Sequence, residues 1–231
     1  MVARVSVLLI TGASSGIGLR TAISAAEAGW DLSLVARDAA RLQSAAAQVA
    51  DVRAQPVTVA ADVADAPALD DAVARTLERF GRLDAVFANA GIGAPRGFTA
   101  STPERWREMV LTNVLGTALT IRAALPALRE HRGHLVLTSS IAGRQALAGS
   151  LYSATKHAVG AMADSVREEV AGSGMRVTVI EPGTVNTPYF ATPPPGALEP
   201  DDIARAVLQA LRQPAGVELS ELFIRPTAQR N

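Results

Sequence analysis

The stretch Val5-Ser6-Val7-Leu8-Leu9-Ile10-Thr11-Gly12-Ala13-Ser14-Ser15-Gly16-Ile17-Gly18 decides the fold. Its apolar, β-branched start reads as a strand buried on both faces, and the glycines behind it read as a turn that opens a helix. Glycine lets the backbone turn tightly and approach a ligand closely, while a helix N-terminus offers unpaired N–H groups and a favourable dipole. That combination suits a pyrophosphate. A Gly-rich turn alone is a weak signal. Placed after a strand, before a helix and at the head of an alternating chain, it points to a dinucleotide site at Gly12, Ser14, Ser15, Gly16, Ile17 and Gly18.

Outward from this stretch, apolar runs recur at Leu32 to Val35, Val57 to Ala60, Ala85 to Ala88, Leu135 to Thr138, Val177 to Ile180 and Leu222 to Ile224. Between them, helical spacing fills about 16–28, 39–50, 66–80, 102–130, 151–172 and 200–212. A β-α-β-α order with right-handed crossovers predicts the α/β class: one Rossmann domain over 1–231, with a doubly wound, seven-stranded parallel sheet and helices on both faces. One stretch breaks the rhythm. Residues 188–200 hold five prolines with Tyr189 and Phe190, which forbids a regular helix or inner strand and predicts a surface loop. It reads as a short substrate lid, the alternative being a plain connection into the helix that Asp201 or Asp202 begins.

Composition narrows the function. The sequence is 48% apolar and 19% charged, enough to pack a core, so disorder is excluded. Lys plus Arg equals Asp plus Glu at 22 each, which leaves no net field to favour nucleic acid or an anionic membrane surface. The absence of cysteine removes disulfides, thiolate metal sites and a Cys nucleophile together. His131, His134 and His157 form no ligand pattern, so no metal is expected. The start Met1-Val2-Ala3-Arg4 lacks the parts of a secretory signal, and no uninterrupted apolar run reaches about 18 residues. A soluble, cytoplasmic protein is expected, with no membrane and no nucleic acid as partner.

Arg37 follows the second strand directly. An acid there would accept hydrogen bonds from the adenosine ribose 2′-hydroxyl, whereas an Arg pairs with a 2′-phosphate and stacks on adenine. That points to NADP(H). The alternative has Arg37 capping a helix while Asp38 serves the ribose. Farther on, Tyr152-Ser153-Ala154-Thr155-Lys156 sets a phenol and an ammonium four residues apart on one helix face. A nearby cation favours the phenolate and lowers the tyrosine pKa, which would let Tyr152 act as a general acid and base. On spacing alone such a pair is commonplace.

The combination is not. The chain resembles the short-chain dehydrogenase/reductase superfamily over essentially its whole length. The resemblance is carried by Thr11-Gly12-Ala13-Ser14-Ser15-Gly16-Ile17-Gly18, Asp62-Val63, Asn89-Ala90-Gly91, Asn113-Val114-Leu115-Gly116, Ser139-Ser140, Tyr152 with Lys156, and Pro182-Gly183 followed by Thr187. It implies that Tyr152 gives the proton to a carbonyl oxygen and that Ser140 hydrogen-bonds that oxygen. It implies that Lys156 holds the nicotinamide ribose and depresses the Tyr152 pKa, and that the backbone of Asn113 holds a water linking Lys156 to solvent. By the same resemblance Asp62 and Val63 contact adenine, Asn89, Ala90 and Gly91 lie along the cofactor, and Pro182, Gly183, Val185 and Thr187 form the nicotinamide carboxamide site.

Two departures concern the substrate. Ser140 precedes the tyrosine by 152 − 140 = 12 residues, one fewer than is common in the family, and the lid is compact. Counting back the commoner distance would choose Ser139, whereas the local run Ser140-Ile141-Ala142-Gly143 favours Ser140. In a strand the two would face opposite ways, so one is structural. The tail from Glu218 to Thr227 resembles a branch holding NADP-dependent reductases and dehydrogenases of small hydroxy acids. The expected function is therefore an NADP(H)-dependent oxidoreductase, a carbonyl reductase acting on a small-molecule carbonyl or alcohol substrate. Its rival is a dehydrogenase of a small 3-hydroxy acid or alcohol, and a non-enzymatic NADPH-binding sensor is the third reading. The helices at 102–130 and 151–172 match those that pair in family tetramers, so a homotetramer, or failing that a homodimer, is expected.

Overall fold

The computed structural model describes residues 5–190 and 192–229. Seven strands, β1 (Val7–Thr11), β2 (Asp31–Ala36), β3 (Val57–Ala60), β4 (Ala85–Ala88), β5 (His134–Thr138), β6 (Arg176–Pro182) and β7 (Glu221–Ile224), form one sheet. Their order is β3-β2-β1-β4-β5-β6-β7, with each pair parallel. The expected doubly wound architecture is thus observed. After β1 the chain winds outward through β2 and β3, then returns past β1 to β4, and this reversal opens a crevice beyond the carboxyl ends of β1 and β4.

Neighbouring strand residues serve opposite layers, as the two-residue period of a strand requires. Leu9, Val86, Leu135 and Leu137 pack under α3 (Ala66–Phe80), α5 (Gly116–His131) and α6 (Leu151–Glu169). Leu8, Ile10, Phe87 and Val136 pack under α1 (Gly16–Glu27), α2 (Ala39–Ala50) and α7 (Pro200–Leu211). Both faces of the central strands are therefore dry, and the unbroken apolar runs in the sequence follow from that.

The structure departs from expectation at several boundaries. The first strand begins at Val7 and includes Thr11, because pairing with β2 sets its ends. The sixth helix starts at Pro200 as its expected range has it, one residue before Asp201, with the Glu199 N–H donating to the Asp202 carboxylate at 2.8 Å. The helix expected over 151–172 ends at Glu169. The one expected over 102–130 is interrupted: α4 (Pro103–Val110) passes through a π-helical turn at Leu111–Leu115 before α5. There the Gly116 N–H reaches back five residues to the Leu111 carbonyl, a widening that helices often show at functional sites. It carries Asn113, which is fully buried.

The stretch Pro103–His131 is long and apolar enough to cross a membrane by length and composition. It packs instead against α3, α6, β4 and β5, as a core helix does.

Candidate active site and dinucleotide crevice

The crevice is shaped first by hydrogen bonds between strand ends. The Thr11 hydroxyl accepts from the backbone N–H of Asn89 at 3.1 Å and of Ala90 at 3.2 Å. The Asn89 amide donates to the Thr11 carbonyl at 3.2 Å, and its oxygen accepts from the Thr138 hydroxyl at 3.3 Å. Three parallel strands, β1, β4 and β5, are tied together where the site begins.

The Gly-rich turn fits a dinucleotide. Gly12 has φ 66°, and a side chain there would lie 2.9 Å from the Ala90 Cα. At Gly18 a side chain would collide with the Gly12 carbonyl, so only glycine allows the turn and α1 to close on each other. Ser15 precedes α1 without using its side chain as a cap, which leaves the first-turn N–H groups of α1 for an anion. Thr187 stands against the same turn, 3.2 Å from where a Gly16 side chain would begin. The turn expected to hold a pyrophosphate and the expected carboxamide site are therefore neighbours. Val185 is buried, Gly183 donates its N–H to Ile224 at 2.7 Å, and the Pro182 carbonyl faces Ser140.

At the expected adenosine end, Arg37 leaves β2 with its guanidinium 3.8 Å from Asp62 and 3.3 Å from Glu108. Asp62 also accepts from the Ala64 N–H at 2.9 Å, and Val63 is buried beside it. Asp38 caps α2, accepting from the Arg41 N–H at 3.0 Å and from its guanidinium at 2.7 Å. Arg37 is thus not the cap, and Asp38 is engaged elsewhere.

At the reacting end, Ser139 and Ser140 point different ways although β5 stops at Thr138. Ser139 donates to the Lys156 carbonyl at 2.9 Å and so holds α6 to the sheet. Ser140 turns elsewhere: its hydroxyl donates to the Pro182 carbonyl at 3.4 Å and accepts from the Ala142 N–H at 3.1 Å, close enough to the Tyr152 phenol to lower its pKa. Lys156 is the only lysine in the sequence. It is buried, donates to the Thr138 carbonyl at 2.7 Å, and lies 5.7 Å from the centre of the Tyr152 ring. Gly91 leaves room for this ammonium, since a side chain there would lie 3.4 Å from both Lys156 Nζ and Asn113 Oδ1. Asn113 closes the group. Its amide donates to the Ile92 carbonyl at 2.9 Å and to Thr155 at 3.1 Å, and its oxygen accepts from the Ile92 N–H at 2.8 Å. The Asn113 carbonyl accepts from the Thr117 hydroxyl at 2.8 Å.

The expected direction of the Tyr152 shift is corrected. The phenol is pushed well above its ordinary value, chiefly by burial and next by the neighbouring Tyr189, with the Ser140 hydrogen bond pulling the other way. Lys156 sits over the ring and spends its hydrogen bond on Thr138, so it does not offset the desolvation. Burial also pushes Lys156 itself down to about 8.

Several residues that shape the site were not among those expected. Tyr189 of the 188–200 loop lies with its ring 6.1 Å from that of Tyr152 and 4.9 Å from that of Phe190, and its phenol fills the space a side chain at Gly93 would need. Its two aromatics gave the signal, but not what they cover. The loop is closed at its neck by Asn186 N–H to Leu198 at 2.7 Å and Leu198 N–H to Thr184 at 2.9 Å. The shortened 144–150 segment joins this wall through Gly97 N–H to the Gly149 carbonyl at 2.8 Å. Thr11 and Thr138 act through strand pairing that spacing does not reveal. Among the described residues, no group of three or more His, Cys, Asp or Glu side chains is placed to hold a metal.

Because Lys156 is the sole lysine, protein labelled with [15N]lysine gives one side-chain amine signal, and that signal titrates with a midpoint near 8 rather than the ordinary 10.5. A midpoint above 10 contradicts the buried, singly bonded ammonium described here.

The sequence matches the short chain dehydrogenase family over residues 6–195. An uncharacterized oxidoreductase of Staphylococcus saprophyticus is 38% identical over 226 residues, covering 95% of this chain and 97% of its own. Among solved structures, an alcohol dehydrogenase from the archaeon Thermococcus sibiricus, complexed with 5-hydroxy-NADP, superposes with a TM-score of 0.91 at 33% identity, over 98% of this chain and 99% of its own. A 3-ketoacyl-(acyl-carrier-protein) reductase from Brucella melitensis, complexed with NADH, gives 0.88 at 28% identity, over 96% and 97%. Matched over this much of its length, by sequence and by fold alike, the chain belongs to the short-chain dehydrogenase/reductase family of oxidoreductases.

Proposed function

We propose that this oxidoreductase is an NADP(H)-dependent carbonyl reductase for a small-molecule substrate, with Tyr152 as the proton donor. The carrying observation is the convergence of Ser140, Tyr152 and Lys156 beyond the carboxyl end of β5, on the same edge as a glycine turn that admits a pyrophosphate. The likeness to structures complexed with 5-hydroxy-NADP and with NADH supports a nicotinamide cofactor, and Arg37 supports the phosphorylated form.

When bound, the nicotinamide supplies the hydride that reduces the substrate carbon. The chain's own residues do the rest. The turn Gly12, Ser14, Ser15, Gly16, Ile17 and Gly18 would hold the pyrophosphate, and Asp62 and Val63 the adenine. Asn89, Ala90 and Gly91 would lie along the cofactor, Lys156 would hold the nicotinamide ribose, and Pro182, Gly183, Val185 and Thr187 the carboxamide. Ser140 donates a hydrogen bond to the substrate oxygen as charge builds there, and Tyr152 delivers the proton from its hydroxyl. A phenol held above its ordinary pKa keeps its proton near neutrality, the form that a proton donor requires. The 188–200 loop, through Tyr189 and Phe190, would cover the substrate.

The assembly belongs to the same reading. Val110, Leu111 and Leu115 expose apolar side chains along the α4–α5 stretch, and we infer that this stretch pairs with a second copy in a homotetramer or homodimer. Light scattering on the purified protein should return more than one chain; a stable monomer at micromolar concentration overturns the inference.

Cofactor oxidation across a panel of ketones and aldehydes tests the activity. Tyr152→Phe should bind NADPH as the parent protein does while turnover falls by about 10²-fold or more, and near-parental turnover would exclude Tyr152 as donor. Loss of one donor to the developing oxyanion lowers turnover by roughly 10²-fold, the drop expected for Ser140→Ala. Ser139→Ala should cost much less, acting through the seating of α6. The opposite order would make Ser139 the donor.

A further inference from the structure

Arg37 is already engaged through one guanidinium nitrogen, Nη1. Its guanidinium is shared by two carboxylates, Asp62 at 3.8 Å and Glu108 at 3.3 Å. Asp62 sits in the turn that follows β3 and contacts Arg37 only at the limit of an ion pair. Glu108 belongs to a different element, α4, and is better placed. Its second oxygen accepts from Arg105 at 2.7 Å, and Arg105 in turn donates to the Gly93 carbonyl at 2.9 Å. Glu108 therefore bridges two arginines, Arg37 at the proposed adenosine end of the crevice and Arg105 on α4, which is bonded to the loop against which Tyr189 packs. The bridge keeps the Glu108 carboxylate ionised: burial pushes its pKa up, but the hydrogen bonds from Arg105 and Arg37 bring it below the usual value.

Two cations, Arg37 and Arg105, and two anions, Asp62 and Glu108, give the cluster a net charge of 2 − 2 = 0, so a 2′-phosphate meets no net attraction there and competes with Glu108 for Arg37. A phosphate pairing with Arg37 then shares the guanidinium charge with Glu108 or displaces it from Nη1. All three side chains are between a third and a half exposed, so water and salt screen the competition and it shifts affinity without abolishing it. A ribose 2′-hydroxyl meets no such opposition.

From this we propose that Glu108 is a specificity-determining residue that tempers the preference for NADP(H), leaving the protein able to use NAD(H) as well. It does so by holding Arg37 in competition with the 2′-phosphate while staying anchored on Arg105. The proposal rests on the reading of Arg37 as the 2′-phosphate cation, which the test examines separately.

Calorimetric titration of the purified protein with NADP+ and with NAD+ gives the affinity ratio without recourse to turnover. Glu108→Gln keeps the side chain's shape and an oxygen for Arg105 but removes its charge. An exposed ion pair and its like-charge repulsion are worth on the order of 1 kcal/mol, so the variant should raise the NADP+ to NAD+ affinity ratio by roughly fivefold, through tighter NADP+ binding. On an Arg37→Ala background the same change should alter the ratio by less than about twofold, because the competition needs the guanidinium. If Glu108→Gln leaves the ratio unchanged while Arg37→Ala lowers it, the proposal is overturned and the cofactor reading stands. If Arg37→Ala does not move the ratio either, both are overturned. An equal gain with and without Arg37 would reduce Glu108 to a general field effect and would also overturn the proposal.

Discussion

A buried ammonium must exchange its water for protein oxygen or lose its charge, and this chain buries its single lysine. Of the 22 Lys plus Arg residues, Lys156 alone has the compact, shiftable head group. The site is organised around that requirement. The Thr138 carbonyl that receives Lys156 lies at the end of β5, and the Thr138 hydroxyl is bonded to Asn89, which is bonded to Thr11. The sheet's central strands are thereby fixed relative to α6. On α6, Lys156 and Tyr152 stand one turn apart, and Ser139 pins the same turn through the Lys156 carbonyl. A displacement of α6 along the sheet would strand the ammonium, break the Ser139 contact and move the phenol together.

The two ends of the crevice obey different physics. Around Tyr152 and Lys156 the groups are desolvated, and burial shifts both toward their neutral forms, as expected when few counter-charges are present. Around Arg37 the groups are half in water and arranged as alternating ions, where contacts are weak singly and exchange readily.

Most of the fold was legible because its determinants are local or periodic. Runs such as Leu8-Leu9-Ile10 and Leu135-Val136-Leu137 are apolar at every position since both sheet faces are covered, and the glycines after β1 sit where the backbone must fold closely on itself. The candidate site residues stood out as motifs, and the structure brings Ser140, Tyr152, Lys156, Asn113 and Gly91 into one cluster. What stayed hidden depends on contacts between distant segments. The π-helical turn at Leu111–Leu115 leaves no periodic trace over five residues. The raised Tyr152 pKa follows from burial and from Tyr189, 37 residues later in the chain, so a Tyr and Lys four apart predicted the opposite direction. Glu108 reads as an ordinary solvated helix acid until the fold sets it beside Arg37, 71 residues away.

The most direct test of this account is a crystal structure of the protein grown with NADPH. The account predicts the pyrophosphate on the first turn of α1, the 2′-phosphate on Arg37, the nicotinamide ribose within hydrogen-bond reach of Lys156, and the reactive ring edge facing Ser140 and Tyr152. A dinucleotide bound with its ribose away from Lys156, or with its ring turned from the Tyr152 hydroxyl, would contradict it.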